Sequence, residues 1–329
     1  MTYKTIIKKP LHITVAIFTL ICGIILWDIS DFFLPGGLEK PVTLVFAPNT
    51  HVTDIAASLK ENKVIRHPLV FEALMLATGQ YFRVKAGEYA FPAHISEQDV
   101  AMMLATGKTV IHHFTVPEGL MTLEILDMLK KNDLLTGEIT YDVKEGELLP
   151  ETYNFSRGDK RNDLIDRMRH AMKKTLEEAW AGRADSLPLK TPQQALILAS
   201  IVEKETGLVT ERQRVASVYI NRLNKGMLLQ ADPTTAYAVT GGKEKLTRPL
   251  TRDDLNLKSP YNTYQSPGLP PGPIDNPGKA AIIAALHPLL SDDLYFVATG
   301  NGGHNFARTP EEHAKNVQKY REAEKDNRK

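Results

Sequence analysis

The first apolar feature of the chain is LHITVAIFTLICGIILW, residues 11–27, a run without a formal charge. A helix over this run, at about 1.5 Å per residue, nearly spans a hydrocarbon core about 30 Å thick, and Trp27 suits the interface. Lys4, Lys8 and Lys9 precede the run, and Asp28 and Asp31 follow it. The basic flank should stay cytoplasmic and send everything after residue 28 across the membrane. No small-x-small cleavage site follows Trp27, and Ile21 before Cys22 does not suit lipoprotein processing, so a retained single span is expected rather than a cleaved leader. Residues 28–41, with Pro35, Gly36 and Gly37, read as a linker leaving the membrane.

Beyond the linker a weak unit recurs: strand, proline turn, amphipathic helix. VTLVFAP at 42–48 is a β-branched run followed by Val52, Ile55, Ala56 and Leu59 at helical spacing. EYAFPAHISEQDVAMML, 88–104, repeats the order, with Ser96 as N-cap and Asp99 three residues on. FTVPEG, 114–119, leads into Leu123, Ile125, Leu126 and Leu129. Ordinary α+β chain with chance similarity is the plain alternative; the functional reading is a LysM-like arrangement of the kind that lies along glycan strands.

The pattern weakens between Asp133 and Gly146, which places a domain boundary there, with residues 42–132 before it and 133–329 after it. The second part is mainly helical. Leu164, Ile165, Met168 and Met172 share a helix face. Thr191, Pro192 and Gln194 open another helix with a capping box, and ALILASIV, 195–202, is apolar on every side, as a central buried helix is. Glu203, Lys204, Glu205 and Thr206 follow, with Gly207 as the expected C-terminal cap. A second box, Thr210 to Gln213, should start a helix with the stripe Val215, Val218, Tyr219 and Leu223. Residues 226–278 are long, irregular and rich in Gly, Pro, Thr, Tyr and Asn, a kind of segment that is usually functional in a compact domain. A small-residue helix (279–286), a strand-like LYFVATG, the loop NGGHNF and a charged terminal helix complete the chain.

Composition removes several function classes. Lys and Arg total 40 against 39 acids, so no basic field points to nucleic acid. Cys22 is the only cysteine, which excludes an intramolecular disulfide and thiolate metal clusters. Phosphate-binding loops, HExxH pairs and serine nucleophile elbows are missing. His304 and His313 lack closely spaced partners, so neither a metal nor any other cofactor is expected.

Carboxylates remain. At 100° per residue Glu205 continues the bulky face of Leu198, Ile201 and Val202, while Glu203 continues the smaller Leu196, Ala199 and Ser200. A carboxyl on an apolar face at the negative end of a helix dipole favours its acid form, which general-acid cleavage of a glycosidic bond requires. Structural carboxyls are perturbed too, so the residues alone leave both readings open. Tyr219, Tyr237, Tyr261 and Tyr264 offer flat faces to pyranose rings, and Asn221, Gln230, Asn262 and Thr263 offer donors and acceptors. Each tyrosine by itself reads as a core or interface aromatic; their clustering after the glutamate helix favours a sugar site. Asp232 is the nearest second carboxylate, although a capping role before Pro233 suits it better.

Eight motifs in order carry a resemblance. They are KAGEYAF (85–91), VPEG (116–119), EGELLPETY (145–153), ASIVEKET (199–206), RVASVYINRL (214–223), MLLQADPTTAY (227–237), SPYNTYQSPGLPPGPIDNPG (259–278) and HPLLSDDLYFVATGNGGHNF (287–306). The chain resembles the endolytic murein transglycosylases, the MltG or YceG-like family, from about residue 40 to its end. The resemblance implies an inner-membrane anchor (residues 11–27, after a cytoplasmic tail at 1–10), a LysM-like α/β subdomain and a catalytic domain facing the cell wall. It also implies the second glutamate of EKET, Glu205, as the catalytic acid and base. Glu205-Thr206 is similar to the Glu-Ser pair of many lytic transglycosylases. The candidate substrate-binding set is Thr206, Tyr219, Asn221, Gln230, Asp232, Tyr237, Tyr261, Asn262, Tyr264 and His304. The implied reaction breaks the β-1,4 bond between N-acetylmuramic acid and N-acetylglucosamine and leaves a 1,6-anhydro end, as a lyase does. Peptidoglycan glycan strands and the cell membrane are the implied partners, and association with peptidoglycan synthases follows from the resemblance alone. One departure stands out: EGELLPETY has Glu147 and Leu148 where the family more often has bulky apolar residues. A hydrolytic muramidase and a non-catalytic peptidoglycan-binding protein are the alternatives. The expected fold is α+β: one N-terminal span, the LysM-like part, and a mainly helical domain with a long irregular binding segment.

Overall fold

The computed structural model describes residues 8–300 and 302–326, with the backbone alone for 8–12, Ile25 and Asp326. Lys4 and most of the expected cytoplasmic tail lie outside the described residues. Helix α1, Lys8–Phe33, contains an apolar stretch long enough to cross a membrane. The helix does not stop at Trp27. It runs on past Asp28 and Asp31, and its last turn enters a folded unit in which Phe32 is buried. The expected free linker is therefore held down: Asp31 forms an ion pair with Arg66, and Leu38 is buried. Gly36 sits against the backbone of Ile95, and a Cβ there would lie 2.3 Å from that carbonyl oxygen.

The first of two compact units comprises residues 1–112 and 155–158. Strand β1 (Val42–Phe46) is followed by α2 (Val52–Glu61), α3 (Pro68–Ala77), a 3-10 turn at Tyr81–Arg83, β2 (Gly87–Phe91) and α4 (Glu97–Thr106). β1 and β2 pair antiparallel, Val42 opposite Phe91 and Phe46 opposite Gly87. Alternation puts Phe46, Tyr89 and Phe91 into a core completed by Ile55, Leu59, Phe71, Met75, Val100 and Leu104. Ser96 caps α4 as expected: its Oγ accepts from the Asp99 N–H at 3.1 Å.

All three expected strand–helix copies form, but they are not serial repeats of one unit. The third copy, β3 (His112–Thr115) with α5 (Thr122–Lys130), falls almost wholly in the second unit, which comprises 113–154 and 159–329. There β3 pairs with β4 (Thr152–Phe155), where Thr115 and Thr152 hydroxyls meet at 2.9 Å. The division therefore lies near residue 112 rather than 133. Pairing partners, which a local pattern does not encode, decide it.

In the second unit α6 (Arg161–Ala181) buries the expected Leu164, Ile165, Met168 and Met172. α7 (Pro192–Glu205) is the central helix, with Ala195 to Val202 all buried against α8 (Arg212–Asn224) and α11 (Lys279–Leu286). Its N-cap is Thr191, whose side chain accepts from the Gln194 N–H, while Gln194 reaches back to the Lys190 N–H. Two caps differ from expectation. Thr206, in extended conformation, ends α7, and Gly207 does not take a positive φ. α8 lacks the Thr210 box: its N-cap position is Glu211, one residue later, whose carboxylate accepts from the backbone N–H of His304 and meets its Nδ1.

Residues 226–278 contain two short helices, α9 (Asp232–Thr240) and α10 (Arg252–Leu255), and are otherwise irregular. Buried side chains substitute for a backbone ladder. Asn262 accepts from the Thr235 hydroxyl and the Tyr264 N–H and donates to the carbonyls of Leu255 and Leu257. Thr263 bonds Thr234 and the Ala231 N–H, and Asn276 bonds the Leu148 N–H. Leu148 is fully buried and Glu147 pairs with Arg169 at 2.7 Å, so the departure in EGELLPETY keeps both a packed and a satisfied wall. Strands β5 (Tyr295–Ala298) and β6 (His304–Ala307) form an antiparallel pair before α12 (Pro310–Asp326).

Candidate active site

The last turn of α7 delivers two glutamates to different surroundings, as their spacing of two residues requires. Burial does not separate them: the Glu203 side chain is only 5% exposed. Partners do. Glu203 Oε1 accepts from Arg212 Nη2 at 2.8 Å, and its Oε2 accepts from the Gly278 N–H at 2.9 Å. Arg212 also holds Glu118 at 3.0 Å. Desolvation pushes the Glu203 carboxyl up, while the Gly278 N–H and Arg212 oppose it. Glu203 is thus tied into the scaffold.

Glu205 faces a cavity of about 170 Å³ lined by Tyr219, Arg222, Gln230, Asp232, Tyr264 and Phe296, with Leu229 beneath. No cation pairs with it among the described residues. Its one described hydrogen bond comes from the Tyr219 hydroxyl to Oε1 at 2.7 Å. Burial pushes its carboxyl up to about 7. The Tyr219 hydrogen bond and the charge of Arg222 pull down, and the Asp232 carboxylate pushes up. Such a group carries a transferable proton near neutral pH and can take it back.

Arg222 and Phe296 are lining residues that sequence reasoning missed. Arg222 is buried, donating through Nε to the Leu294 carbonyl and through Nη1 to the Leu229 carbonyl, both at 2.7 Å. It lies three residues beyond Tyr219 on α8, and that helical spacing is the signal that could have found it. Phe296 arrives from β5, and no local pattern links it to α7.

The structure gathers Glu205, Tyr219, Gln230, Asp232 and Tyr264 in one place. Asp232 does not cap α9; the N-cap position is Ala231, and the Asp232 carboxylate instead accepts from the Tyr264 hydroxyl at 2.6 Å. α9 begins one residue earlier than expected, so Asp232 is its first residue and Pro233 its second. Other candidates stand elsewhere. Thr206 is buried, with its hydroxyl accepting from the Leu208 N–H. Asn221 ties α8 to the carbonyls of Ser291 and Asp293, and Asn262 is the buried knot described above. His304 pairs with Glu211 and meets Phe296 edge-on, one layer behind the cavity.

Tyr237 and Tyr261 line a separate, larger cavity of about 500 Å³ with Thr122, Lys144, Glu145 and Gln193. Their ring centroids are 4.9 Å apart. A third cavity, about 200 Å³, carries Lys204, Pro233, Ala236 and Tyr237 in its wall. Lys204 and Pro233 each adjoin a residue of the Glu205 cavity, and Tyr237 is shared with the Tyr261 cavity, so α9 runs past all three. No group of residues suited to holding a metal occurs among the described residues.

The Tyr219 contact yields a prediction. Tyr219→Phe removes a hydrogen bond that favours the carboxylate, so the Glu205 pKa should rise further. The alkaline limb of the pH–rate profile is expected to move up by about 1 unit, the worth of one charge-assisted hydrogen bond. An unmoved or acid-shifted limb would show that Tyr219 does not tune this carboxyl.

Comparison with known proteins shows the family. The YceG-like family model matches residues 44–319. An endolytic murein transglycosylase of Bacillus subtilis (strain 168) is 32% identical over 315 residues, covering 86% of this chain and 85% of that protein. One of Streptococcus pneumoniae serotype 2 is 30% identical over 338 residues, covering 88% of this chain; the chain spans 60% of that longer protein. The crystal structure of a YceG-like protein from Listeria monocytogenes matches with a TM-score of 0.51 at 30% identity, over 84% of this chain and 99% of the other. With the family model matched along most of its length and these relatives on both sequence and fold, the chain belongs to the YceG-like family, in which proteins named endolytic murein transglycosylase are found.

Proposed function

We propose that this protein is an endolytic lytic transglycosylase that cuts the β-1,4 bond between N-acetylmuramic acid and N-acetylglucosamine in peptidoglycan strands. The observation that carries the reading is Glu205, a carboxyl with no ion-pair partner among the described residues, pushed up to about 7 by burial at the wall of a cavity. Protonated Glu205 donates to the glycosidic oxygen as the bond to C1 breaks. The resulting carboxylate takes the proton of the muramic C6 hydroxyl as that oxygen closes onto C1. The proton count returns to its start and no water enters, so one carboxyl suffices where most glycoside hydrolases need two. Tyr219 and Arg222 stabilise the anion between the two transfers. Asp232, oriented by Tyr264, faces the positive charge that builds at C1. The Tyr237–Tyr261 cavity binds more distant sugars of the same strand, which suits cutting within a strand. The first unit is LysM-like and lies along glycan.

The full chain on purified sacculi is expected to release muramic ends lighter by one water than hydrolytic ends, read by mass spectrometry. Reducing muramic ends as the main product would replace this reading with a hydrolytic muramidase. Binding without cleavage would leave only a peptidoglycan-binding protein.

We further propose that α1 is a single-pass inner-membrane anchor with a cytoplasmic N-terminus and the remainder periplasmic, in the company of peptidoglycan synthases. The basic flank before the span supports that direction. An alkaline phosphatase fused after Lys329 should be active; activity of a cytoplasm-only reporter there would reverse the orientation.

A further inference from the structure

α3 is more apolar than its core requires. Phe71 and Met75 face inward and are fully buried. Yet Leu69 is 82% exposed and Leu76 54%, with exposed Ala73 between them on one stripe at i, i+4 and i+7. Phe82, just beyond, is 81% exposed, and exposed Arg83 follows it. Single exposed apolar residues need no explanation, but a stripe on one helix next to an aromatic does.

The position of α3 says what covers it. Three contacts fix the start of α3 to the end of α1. His67 Nε2 stands 3.8 Å from Asp28, Arg66 pairs with Asp31, and the rings of Phe32 and Phe71 are 6.2 Å apart. Asp28 is the first charge after the apolar run, so the start of α3 stands at the level where the span leaves hydrocarbon. Leu69, two residues past His67, is within a helical turn of that level. Arg66, His67 and Arg83 border the apolar positions, the arrangement of a surface that meets phospholipid headgroups.

We infer that the first unit rests on the bilayer from which α1 emerges, with Leu69, Leu76 and Phe82 inserted at the headgroup–acyl boundary. This rests on the reading of α1 as a membrane span and is independent of the catalytic assignment. It makes α1 a fixed mount rather than a flexible tether.

The test uses the full chain in phosphatidylethanolamine–phosphatidylglycerol vesicles with nitroxide labels. A label on native Cys22 reports the span by itself; if it lies in water, the reading of α1 fails before the inference is reached. On a Cys22→Ser background, labels at Leu69→Cys, Leu76→Cys and Phe82→Cys are then compared for collision with oxygen and with a water-soluble nickel chelate. Oxygen collisions are expected to exceed nickel collisions at Leu69→Cys, Leu76→Cys and Phe82→Cys. Nickel collisions in excess at these positions, with Cys22 in lipid, overturn the inference. Exclusion of both probes overturns it as well, since it would mean a protein contact at this face.

Discussion

Replacing Glu205 by Gln is expected to abolish glycan cleavage, with a fall in rate on the order of 10² to 10⁴ or more. Gln keeps the shape and can still accept from the Tyr219 hydroxyl, but it has no proton to transfer. The native fold should survive and gain stability at higher pH. Burial raises the Glu205 carboxyl from an ordinary 4.5 to about 7, so the folded state binds a proton that the unfolded chain releases between those values. The stability associated with the protonated form is complete below pH 4.5 and lost as pH rises through 7. Above that, the ionised carboxylate costs the wild type on the order of 3 kcal/mol that the Gln variant does not bear. Wild-type cleavage should likewise decline as pH rises through about 7, because the acid form starts the cycle. Rates on sacculi and thermal melts from pH 5 to 8 check both statements. Near wild-type cleavage by Glu205→Gln, with Glu203→Gln inactive but folded, would mean that the two glutamates have been assigned the wrong way round.

The second large effect is on folding. Arg212→Met removes the cation that pairs with Glu203 and leaves its carboxylate buried near Glu118 and Asp275. Asp275 is completely buried, and its two oxygens have no hydrogen-bond partner among the described residues. Breaking a buried ion pair from one side costs about 3–5 kcal/mol, because the remaining charge loses its partner without regaining water. A marked fall in Tm at pH 8 is expected. The sign with pH is fixed: without Arg212 the Glu203 carboxyl rises further, so the deficit should shrink on acidification, as Glu203 takes up a proton. The double variant Glu203→Gln/Arg212→Met should be more stable than Arg212→Met alone, since Gln still accepts from Gly278 and buries no charge. Additive losses in that cycle would show that the pair is not coupled.

The two glutamates also show where sequence reasoning about the site was incomplete. The apolar face of α7 was a sound reason to expect perturbed carboxyls, but it applies to both. Glu203 is nearly as shielded and is distinguished by Arg212 and Gly278, residues 9 and 75 positions away. Asn262 and Thr263 illustrate the same limit from the other side. Their donors and acceptors suit sugar hydroxyls as well as they suit a buried backbone, and the chain uses them for the backbone.

What the sequence by itself determined are features whose cause is local. The apolar run of α1, the Ser96 and Thr191 caps, the buried face of Leu164 to Met172 and the all-round apolar α7 depend on neighbours within a turn or two, so periodicity and capping chemistry suffice to read them. The motif order was sufficient to identify the family. Tertiary structure decided what depends on distant partners. It set the pairing of β3 with β4 that moves the division to residue 112, and the continuation of α1 into a folded core through Phe32. It put Glu211, with its side chain on His304, at the α8 N-cap position in place of the expected Thr210, and it turned Asp232 toward Tyr264. It brought Arg222 and Phe296 to Glu205. Each of these is a choice between chemically equivalent partners, made by long-range packing, which a one-dimensional pattern does not carry.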